Sequence, residues 1–200
     1  MTSFTSTENK ELKIHLKTKT KMDVPLDDDH VKDKKKIKVN ILPKVLPNQL
    51  FLWILSGPPR SGKSSYIESM LTADDVKGKR QSYKGLFNMI IFVTPQISDF
   101  QVDAFDELED VYSELNIEVL HEIESICQEE FDSGGQTLIV FDDMGSKLRE
   151  SVKIQKKLES LCFNHRHMGI FIFFCVQTYV SLSPDQRKSA RLITLFALDT

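Results

Sequence analysis

The chain has 200 residues and a formal net charge of −3, with 40% hydrophobic and 28% charged residues. This balance is typical of a soluble globular domain large enough for a core of its own. Its polar N-terminus lacks the apolar run of a signal peptide, and its longest apolar run, residues 170–176, is too short to cross a membrane, so we expect no membrane segment.

The N-terminal segment, residues 1–40, is polar and rich in lysine. It contains too little apolar surface to offset the entropy that it would lose on ordering, which predicts a flexible arm. The arm either contacts a nucleic-acid backbone or acts only as a solubilising tail, and its composition favours the tail. Partial alternation at residues 37–42 indicates an edge strand. Residues 41–200 are expected to form the folded domain.

The apolar run at residues 51–55 predicts a buried strand. A phosphate-binding pattern follows this run. The pattern is G-x-x-x-x-G-K-[ST], in which glycines let backbone N–H groups turn toward phosphate oxygens. A helix predicted over residues 63–73 would point its positive end at the same phosphates. Lys63 would reach the β- and γ-phosphates of a nucleoside triphosphate, and Ser64 would bind Mg²⁺. The predicted nucleotide-binding residues are Gly57, Pro58, Pro59, Arg60, Ser61, Gly62, Lys63, Ser64 and Ser65.

Further apolar runs alternate with amphipathic segments along the chain. Strands are predicted over residues 89–93, 117–121, 137–141, 170–176 and 192–198. Helices are predicted over parts of residues 99–115, 120–131, 153–162 and 183–190. Apolar strands without alternation, separated by helices, predict an α/β fold with a mainly parallel sheet and helices on both faces.

An acidic pair, Asp142 and Asp143, follows the strand predicted over residues 137–141. In parallel α/β sheets such a strand delivers its carboxylates to the edge where ligands bind. Asp142 would hold Mg²⁺ directly or through water, and Asp143 would orient or deprotonate the attacking water. The alternative is that the pair only caps the next loop or helix. The phosphate-binding loop upstream, with another strand between, favours the catalytic interpretation.

Polar and basic residues flank the strand predicted over residues 170–176. Gln177, at its end, would contact the γ-phosphate and the water, or is an ordinary strand-end residue. Arg166, before the strand, is a candidate arginine finger acting from a neighbouring subunit, because a guanidinium stabilises the charge of phosphoryl transfer. It is otherwise a surface or DNA-facing arginine, and Arg187 and Arg191 compete for the same role.

Charge is distributed unevenly along the chain. Residues 85–146 contain fifteen Asp or Glu and no Lys or Arg, whereas residues 147–191 contain nine Lys or Arg. The basic segments would accommodate nucleic acid, but solvated helix faces explain the same pattern, and charge alone favours them.

Taken in order, these motifs resemble those of the poxvirus-type genome-packaging ATPases of the FtsK/HerA superfamily. The most distinguishing part is the Arg-His pair at residues 166–167, followed by a short gap, an apolar strand and Gln177. Residues 182–184 together with Arg187 are also similar to that family. The resemblance covers about residues 45–198.

The resemblance implies a P-loop NTPase domain of the RecA-like (ASCE) type and an ATP-driven motor that moves double-stranded DNA into a preformed capsid. Members of the superfamily typically work as rings in which a neighbour's arginine completes each ATP site. The expected partners are therefore double-stranded DNA, copies of the same chain in a homo-oligomeric ring, and a capsid vertex protein. By position, Lys63 and Ser64 bind phosphate and Mg²⁺, Asp142 and Asp143 form the Walker B pair, and Gln177 is the sensor.

Two departures from the family pattern qualify the resemblance. Many superfamily ATPases have the longer glutamate where this chain has Asp143, which makes the water-activating role the weaker expectation. The chain also ends almost at its last predicted strand, as a minimal motor or a fragment would.

Two other functions use the same loop. A nucleotide or small-molecule kinase would need an acceptor site and usually an arginine-rich lid. The acidic segment 99–132 contains no Arg or Lys and cannot form such a lid, so the lid would have to use residues 147–157. A nucleotide-binding scaffold with little turnover would suit an aspartate at position 143.

The cysteines, Cys127, Cys162 and Cys175, show neither paired nor metal-ligand spacing. Because Cys162 and Cys175 lie in apolar stretches, we expect these two to be buried thiols, in a reducing compartment. With the family resemblance, the predicted location is the host cytoplasm or a viral factory, in association with assembling virions.

Overall fold

The computed structural model describes residues 46–47, 49–76, 82–96, 100, 108–145, 147 and 151–197. The predicted N-terminal arm and the predicted edge strand at residues 37–42 lie outside these ranges.

Six strands form one sheet in which every pair is parallel. The strands are β1 Leu52–Ser56, β2 Met89–Val93, β3 Leu108–Tyr112, β4 Thr137–Asp142, β5 Ile170–Val176 and β6 Leu192–Leu195. Four α-helices in the described ranges connect them: α1 Lys63–Thr72, α2 Ile117–Asp132, α3 Val152–Asn164 and α4 Pro184–Ser189. The spatial order of the strands is β3-β2-β4-β5-β1-β6. The predicted α/β fold with a parallel sheet is confirmed.

Helices cover both faces of the sheet, because alternate residues of each buried strand point to opposite sides. On one face, α2 and α3 pack against the sheet through apolar residues that include Ile123 and Leu158. On the other face, α1 packs through Ile67 and Leu71. The strands β1, β4 and β5 are buried along their whole length, which explains their largely apolar sequences.

Aromatic rings dominate the α1 face of the sheet. The Phe51 ring lies 5.1 to 5.7 Å, centroid to centroid, from the rings of Phe171, Phe173, Tyr83 and Trp53. Three of these contacts are edge-on and that with Tyr83 is tilted, as expected for rings that avoid face-to-face stacking. This cluster lies at the start of β1 and braces the strand that leads into the phosphate-binding loop.

Two sequence-based assignments are wrong. The segment 108–112, expected to be partly helical, is the strand β3, which pairs with β2 alone among the described strands. The segment 117–121, expected to be a strand, begins α2. There Asn116 caps the helix, because its side chain accepts a hydrogen bond from Val119 N at 2.8 Å. The buried residues of α2, at positions 120, 123 and 127, recur at helical spacing, and this face rather than the alternation at 117–121 packs into the core.

Three strands determine the geometry of the functional edge. β5 lies between β4 and β1, with Ser56 opposite Val176 and Asp142 opposite Cys175. Because parallel strands end at the same edge, the residues that follow β1, β4 and β5 meet in space. Among the described helices, none is long and apolar enough to cross a membrane.

Replacing Phe51 with alanine should destabilise the domain by about 3–5 kcal/mol, because the ring is fully buried among other rings. Phe163 is 61% exposed, and the same substitution there should change the free energy of unfolding by less than about 0.5 kcal/mol. Urea denaturation of both variants measures the difference. Equal effects would contradict the structural role of the aromatic cluster.

Candidate functional site

The loop between β1 and α1 is held at both ends by backbone hydrogen bonds. Gly57 N donates to Val176 O at 3.1 Å, and Tyr66 N donates to Gly62 O at 2.9 Å. Gly62 has a φ of 88°, a conformation that glycine adopts without steric cost. At Gly57 the reason for glycine is space: a Cβ there would lie 2.6 Å from Phe196 Cβ and 2.7 Å from Phe196 O.

The loop presents positive charge and N–H groups to one place. Lys63 Nζ donates to Gly57 O and Pro58 O, both at 2.8 Å, which fixes the ammonium group across the loop. Gly62, the residue before α1, provides no side-chain cap, and the first turn of the helix carries no acidic residue. The N–H groups of that turn are therefore suited to bind an anion, and the helix dipole adds to the attraction.

The acidic pair occupies the same edge, at the end of β4. Asp142 is only 5% exposed, whereas Asp143 is exposed. Asp143 has a φ of 50°, a left-handed conformation that Asp and Asn adopt more readily than most residues. Its backbone N donates to Cys175 O at 3.3 Å, and its Oδ1 accepts from Gln177 Nε2 at 2.9 Å. Thus Gln177 and Asp143, predicted separately, form one hydrogen-bonded pair.

A cavity of about 370 Å³ brings these predicted residues together. It is lined by Pro59, Arg60, Lys63, Ser64, Gln96, Asp142, Asp143 and Gln177. The other predicted residues, Gly57, Pro58, Ser61, Gly62 and Ser65, complete the loop and the first turn of α1. Ser64 and Asp142 supply a hydroxyl and a carboxylate, the oxygen donors that suit Mg²⁺, which typically takes few protein ligands and keeps the rest for phosphate and water. Among the described residues, no cluster of three or more His, Cys, Asp or Glu would hold a metal unaided.

Two residues of this site were missed by sequence reasoning. Gln96 follows β2 and lines the cavity, and its backbone N donates to Thr94 Oγ1 at 3.2 Å. The sequence contained a signal for it, since Gln96, like Gln177, is a polar residue just beyond a buried strand.

Cys175, the second missed residue, lies beside Asp142 in the register of β4 and β5. Burial raises the pKa of the Cys175 thiol well above its usual value, and Asp142, which accepts its hydrogen bond, adds to the rise while Lys63 opposes it. The protonated thiol thus supports the buried carboxylate.

The candidate arginine fingers lie away from this cavity. Arg166 is in the turn between α3 and β5, before β5 begins, and therefore at the opposite edge of the sheet. Arg191 is nearby, and its backbone N donates to Leu52 O at 2.8 Å, at the start of β1. Arg187 is on α4, with its guanidinium carbon 5.1 Å from the centre of the Tyr179 ring. None of the three lines the cavity that contains Lys63.

In this parallel sheet the phosphate-binding loop follows β1, the acidic pair lies at the end of β4, and β5 lies between these two strands. This arrangement defines a P-loop NTPase. The family model described as "Poxvirus A32 protein" matches residues 38–197. The chain belongs to that family.

Solved structures with the same fold include viral and bacterial ATPases. The DNA-packaging ATPase B204 from Sulfolobus turreted icosahedral virus is 17% identical, with a TM-score of 0.55 over 77% of this chain and 78% of that one. The genome-packaging NTPase B204 from Sulfolobus turreted icosahedral virus 2, in complex with ATP-γS, is 20% identical, with a TM-score of 0.50 over 76% of each chain. The cytoplasmic domain of the type VII secretion ATPase EccC from Thermomonospora curvata is 15% identical, with a TM-score of 0.53 over 74% of this chain and 19% of that one. No curated protein matches the chain.

Replacing Gly57 with alanine should destabilise the domain by about 1–3 kcal/mol and weaken nucleotide binding, because the methyl group would displace the backbone of Phe196 or the loop itself. Gly145→Ala is the matched control: its new Cβ would find its nearest neighbour, Ser181 Oγ, at 3.6 Å. Thermal unfolding and binding of a fluorescent ATP analogue measure both effects. A Gly57→Ala variant that binds like the wild type would contradict the close approach of Phe196.

Proposed function

We propose that this protein is the ATP-hydrolysing motor that moves double-stranded viral DNA into a capsid. The observation that carries the proposal is the cavity in which Lys63, Asp143 and Gln177 meet beside the N-terminus of α1. Membership of the poxvirus A32 family supports the viral context. The DNA-packaging ATPase B204, which has the same fold over most of both chains, supports the coupling to DNA.

In the proposed reaction, water attacks the γ-phosphorus of ATP in line with the bond to the leaving ADP. Lys63 and the first-turn N–H groups of α1 bind the phosphate oxygens and offset the charge that spreads over them. The Gln177 amide holds one oxygen of Asp143, which leaves the other to accept a hydrogen bond from the water. Ser64 and Asp142 would hold Mg²⁺, whose charge would further stabilise the phosphates.

We further propose that the motor is a homo-oligomeric ring. Each chain has its loop at one edge of the sheet and Arg166 at the other, so Arg166 would reach a triphosphate held by a neighbouring copy rather than its own. DNA would pass along the assembly, a capsid vertex protein would receive it, and the site of action would be the host cytoplasm where virions assemble.

The ATPase rate, measured with and without double-stranded DNA, tests the function. DNA should stimulate turnover, and Lys63→Ala should reduce it by about 10²-fold or more, because a phosphate-binding cation is removed. Asp143→Asn should keep ATP binding, since Asn accepts the same φ, but reduce turnover by about 10²–10⁴-fold. Wild-type turnover in Asp143→Asn would remove that carboxylate from the mechanism.

The same assays distinguish the alternative functions. Phosphate transfer to a nucleotide would identify a kinase, and tight ATP binding without turnover would identify a nucleotide-binding scaffold.

Arg166→Ala should bind ATP normally and hydrolyse it poorly if the arginine acts on a neighbour. Mixing Arg166→Ala with Lys63→Ala subunits should restore part of the activity, because some interfaces would then combine an intact loop with an intact arginine. Each variant alone at the same total concentration is the control. No restoration in assemblies shown by mass to be mixed would argue against action between subunits.

A further inference from the structure

A second cavity, of about 500 Å³, lies at the edge of the sheet opposite the phosphate-binding loop. It is formed by the turn between α3 and β5 on one side and by the end of α4 and the residues before β6 on the other. Its basic side chains come from both sides: Arg166 and His167 from the turn, and Lys188 and Arg191 from the other segment. We call this cavity the basic cleft.

The cleft carries more positive than negative charge. Lys188 pairs with Asp185 at 3.1 Å, but both side chains are largely exposed, so the pair is weak and easily exchanged. Arg191 Nη1 donates to Gln49 Oε1 at 2.8 Å, and this neutral acceptor leaves its charge uncompensated. Arg166 and His167 make no ion pair with a carboxylate among the residues that the structure describes. An anion is therefore the complementary ligand.

A buried histidine lines the same cleft and has an unmet hydrogen bond. His165 is only 3% exposed, and its Nδ1 lies 2.6 Å from Cys162 O. Because a carbonyl oxygen can only accept, Nδ1 must carry a proton. Its other nitrogen, Nε2, is buried and has no hydrogen-bond partner among the described residues, an uncommon and costly state.

The surroundings of His165 disfavour its charged form. Burial lowers the pKa of His165, and the neighbouring Arg166 and His167 lower it further, while the hydrogen bond to Cys162 opposes the change. Lys188 and Arg191 face the cleft from the other side, with Asp185 beside Lys188. At neutral pH, Nε2 is then an acceptor among cations. The negative charge of a bound phosphate would let the ring take up a proton, so that Nε2 donates to a phosphate oxygen; inorganic phosphate could instead donate its own hydroxyl to the neutral ring.

We propose that the basic cleft binds a phosphate group supplied from outside the subunit, with Arg166, Lys188 and Arg191 balancing its charge and His165 Nε2 completing its hydrogen bonds. Two sources carry this chemistry: the backbone of double-stranded DNA and the triphosphate held by a neighbouring copy. The choice between these sources rests on the proposed function, whereas phosphate recognition by the cleft does not.

Inorganic phosphate is the first probe, used with the Lys63→Ala protein to disable the loop. Titration should shift the imidazole NMR signals of His165 to saturation and raise its pKa, because a nearby anion favours the charged ring. Lys188→Gln combined with Arg191→Gln should weaken phosphate binding about tenfold or more, since two charged donors are removed. Lys156→Gln, which removes a charge from the exposed face of α3, should leave the titration unchanged.

The absence of a saturable shift would overturn the proposal, as would equal binding in the double variant and in Lys156→Gln. Melting temperatures of all variants exclude unfolding as the cause. These measurements need no turnover, so a failure of the cleft is distinguishable from a failure of the ATPase.

Two further measurements separate the sources. If DNA supplies the phosphate, a plot of log affinity for duplex DNA against log salt should become less steep in the double variant, by about 0.9 for each DNA phosphate that the variant no longer neutralises. If a neighbour's ATP supplies it, the slope should stay constant and DNA-free turnover should fall. A cleft that binds inorganic phosphate while both quantities stay unchanged would overturn both outside sources and leave the free ion as its ligand.

Discussion

The parallel pairing of β5 with both β4 and β1 is the constraint on which the site depends. Two backbone hydrogen bonds connect the loop and the acidic pair to this strand, from Gly57 N to Val176 O and from Asp143 N to Cys175 O. Gln177, the next residue, then reaches Asp143 from the end of the same strand. A shift of one residue in this register would turn each side chain of β5 to the other face of the sheet and separate the site.

The packing around β5 explains how the sheet holds that register. Every residue of the strand is buried, because α1 covers one face and α2 and α3 cover the other. Burial on both faces also supports features that would be unfavourable elsewhere, such as the left-handed backbone of Asp143 and the enclosed carboxylate of Asp142. The edge strand β3 is different: among the described strands it pairs with β2 alone, and it carries acidic residues at positions 109 and 110. The four inner strands contain one acidic residue, Asp142, at the end of β4.

The two edges of the sheet have complementary chemistry. The carboxyl edge carries the phosphate-binding loop together with two aspartates, whereas the amino edge carries the basic cleft. A chain with this arrangement can offer a triphosphate on one side and cations on the other. In the proposed ring, the same interface would repeat between each pair of neighbouring copies.

The sequence by itself determined the order of the motifs and most of the strands. Gly57 to Lys63, the acidic pair and the strand at residues 170–176 are local patterns whose meaning depends on neighbouring residues alone, and β2 and β5 have the bounds that their apolar runs predict. Errors fell where tertiary context outweighed local pattern: at the edge strand β3, and at the capped start of α2.

Only the tertiary structure decided which of the motif residues meet. It joined Gln177 to Asp143, placed Gln96 and Cys175 at the site, and put Arg166 at the far edge beside Lys188 and Arg191. These relations join residues that are distant along the chain. They follow from strand order and register, which depend on how whole faces pack and which no local sequence pattern encodes.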